Sequence, residues 1–149
     1  MPSDDHDIRV LNGLIGELLL AKGALDDAAR HDGRFSGLFE RRAADQAQAA
    51  AALSQEVERR GGAPRVPGHG LAEMLGLAAH AFQDLRARLA HGDDAALDEV
   101  ERGEAHLLAR FDAALADRDV SGPVRDAILR AYDPVKAGRD EVLQLREGL

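Results

Sequence analysis

The chain of 149 residues contains no cysteine and no tryptophan, one tyrosine and four phenylalanines. Without cysteine there are no disulfides, thiolate metal sites or cysteine nucleophiles. The shortage of aromatics, with only eight Val and three Ile, argues against an all-β fold, because strands favour β-branched and aromatic side chains. Basic charge is also short. Nineteen Lys and Arg face 27 Asp and Glu, a formal net charge of −8. An acidic surface repels phosphate backbones and anionic headgroups, so neither nucleic acid nor a membrane surface is an expected partner. Long apolar runs are missing too. The longest in the first predicted helix is Leu18–Ala21, far short of a membrane span or a signal segment, and Met1–Asp7 carries no basic lead-in. A cytoplasmic protein is expected.

Abundant instead are Ala (28 residues) and Leu (21 residues), about a third of the chain. Their spacing predicts five helices. The first covers about Asp5 to His31, with Ile8, Leu11, Ile15, Leu18, Leu25 and Ala29 on one face and Asp4 and Asp5 at its start. The second covers about Ser36 to Arg60, with Phe39, Ala43, Gln46, Ala50, Leu53 and Val57 inward. Gly61-Gly62-Ala63-Pro64 ends it with a glycine C-cap. A shorter third helix is expected over about Leu71 to Ala90. The fourth, about Ala95 to Ala116, is capped by Asp93 or Asp94 and turns Leu97, Val100, Glu104, Leu107, Phe111 and Ala114 inward. The fifth, about Pro123 to Glu147, is capped by Ser121 and kinked at Pro134. Its inward residues are Val124, Ile128, Ala131, Val135, Gly138, Val142 and Leu145.

Short turns join helices one and two, and helices four and five, so each pair should form an antiparallel hairpin. The stretch from Gly61 to Gly92 must carry the chain between them. The predicted fold is all-α: a single domain over residues 1–149, a ferritin-like antiparallel four-helix bundle of two hairpins joined by a long crossover with an extra helix.

Certain residues strengthen that reading. Leu11-Asn12-Gly13-Leu14-Ile15, Ala28-Ala29, Glu56-Val57-Glu58-Arg59-Arg60-Gly61-Gly62, Val100-Glu101-Arg102-Gly103-Glu104, Gly92-Asp93-Asp94 and Val135-Lys136-Ala137 resemble a bacterial ferritin-like family. That family comprises small four-helix-bundle proteins of unknown function, mostly proteobacterial. The resemblance implies the bundle and no particular activity, although stress-linked accessory roles are expected of its members.

Ferritin-like bundles that hold two metal ions draw one Glu from each of two helices and Glu-x-x-His from each of the other two. No Glu-x-x-His occurs in this chain. At the corresponding inward positions stand Lys22 on helix one, Gln46 on helix two, Glu104 on helix four, and Gly138-Arg139 on helix five. Lys22, Gln46, Glu104 and Arg139 are thus the candidate remnant polar core. A Lys22–Glu104 ion pair is one reading of it. A lysine stem running along the bundle to solvent is the other. His80 and Asp84, at i and i+4, are weak surface metal candidates. Glu101 and His106 fall on different faces, and Glu17 and Asp45 lie off the predicted stripes. Gly13 and Gly16 share a face and point to a close helix approach within the bundle or across a homodimer.

No catalytic residue, cofactor or metal centre is expected. The predicted function is a non-catalytic bundle that has lost its di-metal site and acts through self-association, as a homodimer or other homo-oligomer, or through a protein partner. One alternative is a divergent di-iron or manganese oxidase or metal store using Glu104, Glu101, His106, Glu17 and Asp45. Another is a binder of a small apolar molecule in a cavity along Ala50, Phe82, Leu107 and Phe111.

Overall fold

The structure is a computed structural model that describes residues 4–31, 33–64 and 85–148. These are helical almost throughout, with no strand among them. The helices are α1 (Asp4–Ala29), α2 (Ser36–Arg59), α3 (Leu85–Leu89), α4 (Asp93–Ala116) and α5 (Gly122–Glu147). The four long ones have 24 or 26 residues and run about 36 to 39 Å at 1.5 Å per residue. Of the predicted third helix, the Leu85–Leu89 part is present as α3. The remainder lies outside the described residues.

The long helices pack α1 on α2, α2 on α5, α5 on α4 and α4 on α1. Each neighbouring pair is antiparallel. Asn12 near the start of α1 donates from Nδ2 to the carbonyl of Ala63, just past the end of α2. His6 meets Asp117 beyond the end of α4. Arg41 early in α2 pairs with Glu141 late in α5, and Arg146 late in α5 pairs with Asp98 early in α4. The order is therefore up, down, down, up for α1, α2, α4 and α5. The end of α2 and the start of α4 consequently lie at opposite ends of the bundle.

The core follows the predicted stripes, with differences on α1, where Ile8 and Ala29 are only half-buried, and on α5. All six predicted inward residues of α2 are buried, as are all six of α4. On α1 the buried face is wider than predicted. Leu14, Glu17, Ala21 and Ala28 join Leu11, Ile15, Leu18 and Leu25, because α1 packs on two neighbours rather than one. On α5 the inward stripe ends at Val142, and Leu145 is 37% exposed. The single tyrosine, Tyr132, meets Phe111 edge to face, centroids 6.0 Å apart, across the α4–α5 pair.

The turns hold several backbone groups in place. After α2, Gly61 takes φ 78 and its N–H donates to Glu58 O at 3.0 Å, while Gly62 N–H donates to Val57 O at 3.0 Å. This is the Schellman closure that the Gly-Gly pair predicts. Gly92, at φ 107, is the N-cap of α4, and Asp93 and Asp94 lie in the first turn, where they complement the helix dipole rather than cap it. Ser121 is the N-cap of α5 by backbone only, with no side-chain cap bond. Its N–H donates instead to the buried Asp7 carboxylate of α1 at 3.0 Å. Arg125 donates to the carbonyls of Leu115 and Asp117, which closes the end of α4 from the next helix. α5 is helical straight through Pro134, whose ring is exposed.

Candidate functional site

Halfway along the bundle, α2 turns Arg42 and Gln46 to the interior one helical turn apart, and α4 turns Glu104 to meet them. All three are 0% exposed. Arg42 Nε donates to Glu104 Oε1 at 2.9 Å. Gln46 Nε2 lies 3.5 and 3.4 Å from the two Glu104 oxygens. A terminal nitrogen of Arg42 also donates to Asp45, which is half-buried on the same helix.

The guanidinium fits only because α5 presents a glycine there. A Cβ on Gly138 would lie 1.7 to 1.9 Å from Cζ and both terminal nitrogens of Arg42. The fourth helix therefore contributes a bare backbone on which the planar cation rests. Arg suits this place better than Lys, since its fork reaches two carboxylates and is more weakly hydrated. Burial pushes the Glu104 carboxyl above its ordinary range, and the Arg42 guanidinium opposes that rise.

The predicted polar positions separate in the structure. Gln46 and Glu104 are core residues as expected. Lys22 is not: its side chain is 39% exposed and Nζ pairs with Asp26 Oδ2 at 2.5 Å, one turn along the same helix. The buried face of α1 passes through Ala21 and Leu25, so the lysine stem runs to the surface and no Lys22–Glu104 pair forms. Arg139 is half-buried beside the core, where the preceding Gly138 takes the inward position. His80 and Asp84 lie outside the described residues. Glu101 bonds to Arg146 on the surface.

Arg42, the cation of the site, does not belong to the predicted stripe of α2. It lies three residues after Phe39 and four before Gln46, which is core spacing, but a charged residue next to Arg41 reads as surface. The signal that could have found it was Gly138, an inward glycine in mid-helix opposite a carboxylate.

Glu17 is a second correction. It is buried between α1 and α4, with His106 Nε2 3.4 Å from Oε2 and Arg110 Nε 3.6 Å from Oε1. Glu17 follows Leu14 by three residues and precedes Ala21 by four, on the wider face that packing against α4 creates.

A di-metal centre does not fit this core. Two ions need several converging carboxylates and imidazoles. Among the described residues the central layer offers one carboxylate and one amide, and both face a guanidinium. Glu17 is turned to His106 and Arg110. The side chains among the described residues that place three ligand atoms within 4.8 Å of one another are His6, Asp117 and Asp119, at one end of the bundle. There His6 Nε2 is 2.9 Å from Asp117 Oδ2. The Asp119 N–H, bonded to the other Asp117 oxygen, and the His6 contact hold that carboxyl below its ordinary range.

Ala50, Leu107 and Phe111, proposed to line an apolar cavity, are packed in the core, and Phe82 lies outside the described residues. The grooves found lie elsewhere. One of about 250 Å³ runs between α1 and α4, past Gly13, Leu14 and Arg110. Another of about 340 Å³ follows Ala49, Ala52, Ala127 and Ala131 between α2 and α5. A third of about 340 Å³ lies at the end of the bundle by Phe35, Phe39 and Leu89. Among the described residues Gly13 mediates no close helix approach, since a Cβ there would meet nothing within 4 Å.

No curated protein matches the chain. A family model does match, over residues 7–117, and this segment holds Glu17, Arg42, Gln46, Glu104 and His106 but stops short of α5 and Gly138. With about three-quarters of its length matched, the chain belongs to the family described as "Domain of unknown function (DUF2383)".

Proposed function

We propose that this protein is a ferritin-like bundle in which an internal guanidinium takes the place of a di-metal centre, and that it works by association rather than by catalysis. The observation that carries the reading is Arg42, fully buried between Glu104 and the backbone at Gly138. A fixed cation at the centre of four helices pairs with Glu104 and occupies the space where an ion would sit. The up-down-down-up order, with the end of α2 and the start of α4 at opposite ends of the bundle, supports the ferritin-like arrangement. The partner is a second copy of the chain or another protein. The −8 charge argues against nucleic acid and anionic membranes, and the lack of cysteine suits a reducing cytoplasm.

The test is iron(II) oxidation and metal content on protein purified from iron- and manganese-supplemented cells, with molar mass by light scattering. The expected result is no oxygen consumption above the iron blank, no pair of ions per chain, and a mass of two or more chains or a co-purifying protein. Two iron or manganese ions per chain with oxygen consumption would overturn the reading.

A further inference from the structure

The Glu17–His106 contact is not a well-formed hydrogen bond. Glu17 is 1% exposed, and neither of its oxygens has a hydrogen-bond partner. His106 Nε2, which faces Oε2 at 3.4 Å, is itself buried as an atom and also lacks one. Two buried polar atoms thus face each other across a gap too wide for a normal N–H···O bond. A carboxylate buried in this way is costly unless something binds it.

The gap has the size of a metal edge. A tetrahedral zinc ion, with Zn–N of about 2.0–2.1 Å and Zn–O of about 2.0–2.2 Å, holds two ligand atoms about 3.4 Å apart. We propose that Glu17 Oε2 and His106 Nε2 bind one divalent ion of the zinc class at the α1–α4 interface. Imidazole and carboxylate are suitable donors for such an ion. The His106 side chain is 31% exposed although its Nε2 is buried, so the site lies just beneath the surface. Arg110 Nε lies 3.6 Å from the other oxygen of Glu17, an ion pair longer than a hydrogen bond. The groove past Gly13, Leu14 and Arg110 runs beside the site, and the bare Gly13 keeps it open one turn before Glu17. This site is separate from the Arg42 core and independent of the function proposed above. A single zinc ion here leaves the absence of a di-metal centre intact, and iron oxidation tests that absence by itself.

The test is zinc titration of the full-length protein by calorimetry at neutral pH, alongside Glu17→Gln, His106→Gln, Arg110→Gln and His6→Ala, each checked for helicity. One zinc per chain is expected. Glu17→Gln and His106→Gln should each weaken it by more than about tenfold, whereas Arg110→Gln should leave it no weaker, because that arginine is a cation competing for the carboxylate. His6→Ala, at the other candidate cluster, should leave it unchanged. In the wild-type protein, nitrogen NMR should show the His106 Nε2 resonance shifting on zinc addition, a readout that needs no variant to fold. No zinc binding, binding lost in His6→Ala but kept in Glu17→Gln, or an unmoved His106 resonance would each overturn the proposal.

Discussion

Arg42 and Gly138 act as one unit. Removing the cation strands Glu104 in a dry core, so Arg42→Met should cost about 3–5 kcal/mol, as breaking a buried ion pair does. Adding Glu104→Leu should recover most of that loss, because an apolar pair of similar volume is often neutral or better. Urea denaturation of the single and double variants measures both. Gly138→Ala reaches the same pair from the opposite helix. Its methyl would overlap the guanidinium, and the displacement should cost about 1–3 kcal/mol by the same assay.

Glu104 also predicts a pH dependence. Its carboxyl is raised in the folded state, chiefly by burial, so between its ordinary value of 4.5 and the raised one the native state holds the extra proton. Stability from this group is complete below about pH 4.5 and is lost as pH rises through the folded value. Asp117 runs the other way. Its lowered carboxyl contributes above pH 3.8, and that contribution is lost as pH falls further. Melting temperatures from pH 4.5 to 8 should therefore decline less steeply in Glu104→Gln than in the wild-type protein. An identical slope would show that Glu104 is not the group responsible.

Among the elements, α5 carries the clearest local conflict. Pro134 lies inside a 26-residue helix, where it removes one N–H and crowds the carbonyl of Arg130. Its ring is exposed, so the core gains nothing obvious from it. Pro134→Ala should raise stability by about 1–3 kcal/mol, seen as a higher melting temperature. A lower one would show that the groove between α2 and α5, which Pro134 lines, needs the ring. The helix faces themselves were readable in the sequence. Leu97, Val100, Leu107 and Phe111 repeat at three and four residues and are buried. The width of the α1 face was not readable, because a periodic stripe does not say how many neighbours a helix has. Glu17 therefore looked like surface, and Lys22, three residues before Leu25, looked like core.

On the scale of the whole molecule, the family match ends at Asp117 while the bundle continues through α5. Without α5, the buried side of Phe111 on α4 and the face of Arg42 on α2 would open to water. A chain ending at residue 117 should lose cooperative unfolding and most of its helicity, both measurable by circular dichroism. A sharp melt from that fragment would show that three long helices suffice and that α5 is an addition.

The sequence by itself determined that the protein is helical, where its long helices start and stop to within about two residues, and that Gln46 and Glu104 face inward. Those properties follow from 3.6-residue periodicity and from glycine, proline and acidic punctuation, which act over a few neighbours. Tertiary structure decided which cation enters the core. Arg42 and Lys22 are both charged residues near helical stripes, and local spacing favoured Lys22, the one that stays at the surface. Arg42 is buried because Glu104 and the bare backbone at Gly138 converge on it from two other helices, while Lys22 finds Asp26 on its own helix and stays at the surface. That choice depends on space and charge supplied from residues 62 and 96 positions away along the chain, which only the packed bundle brings together.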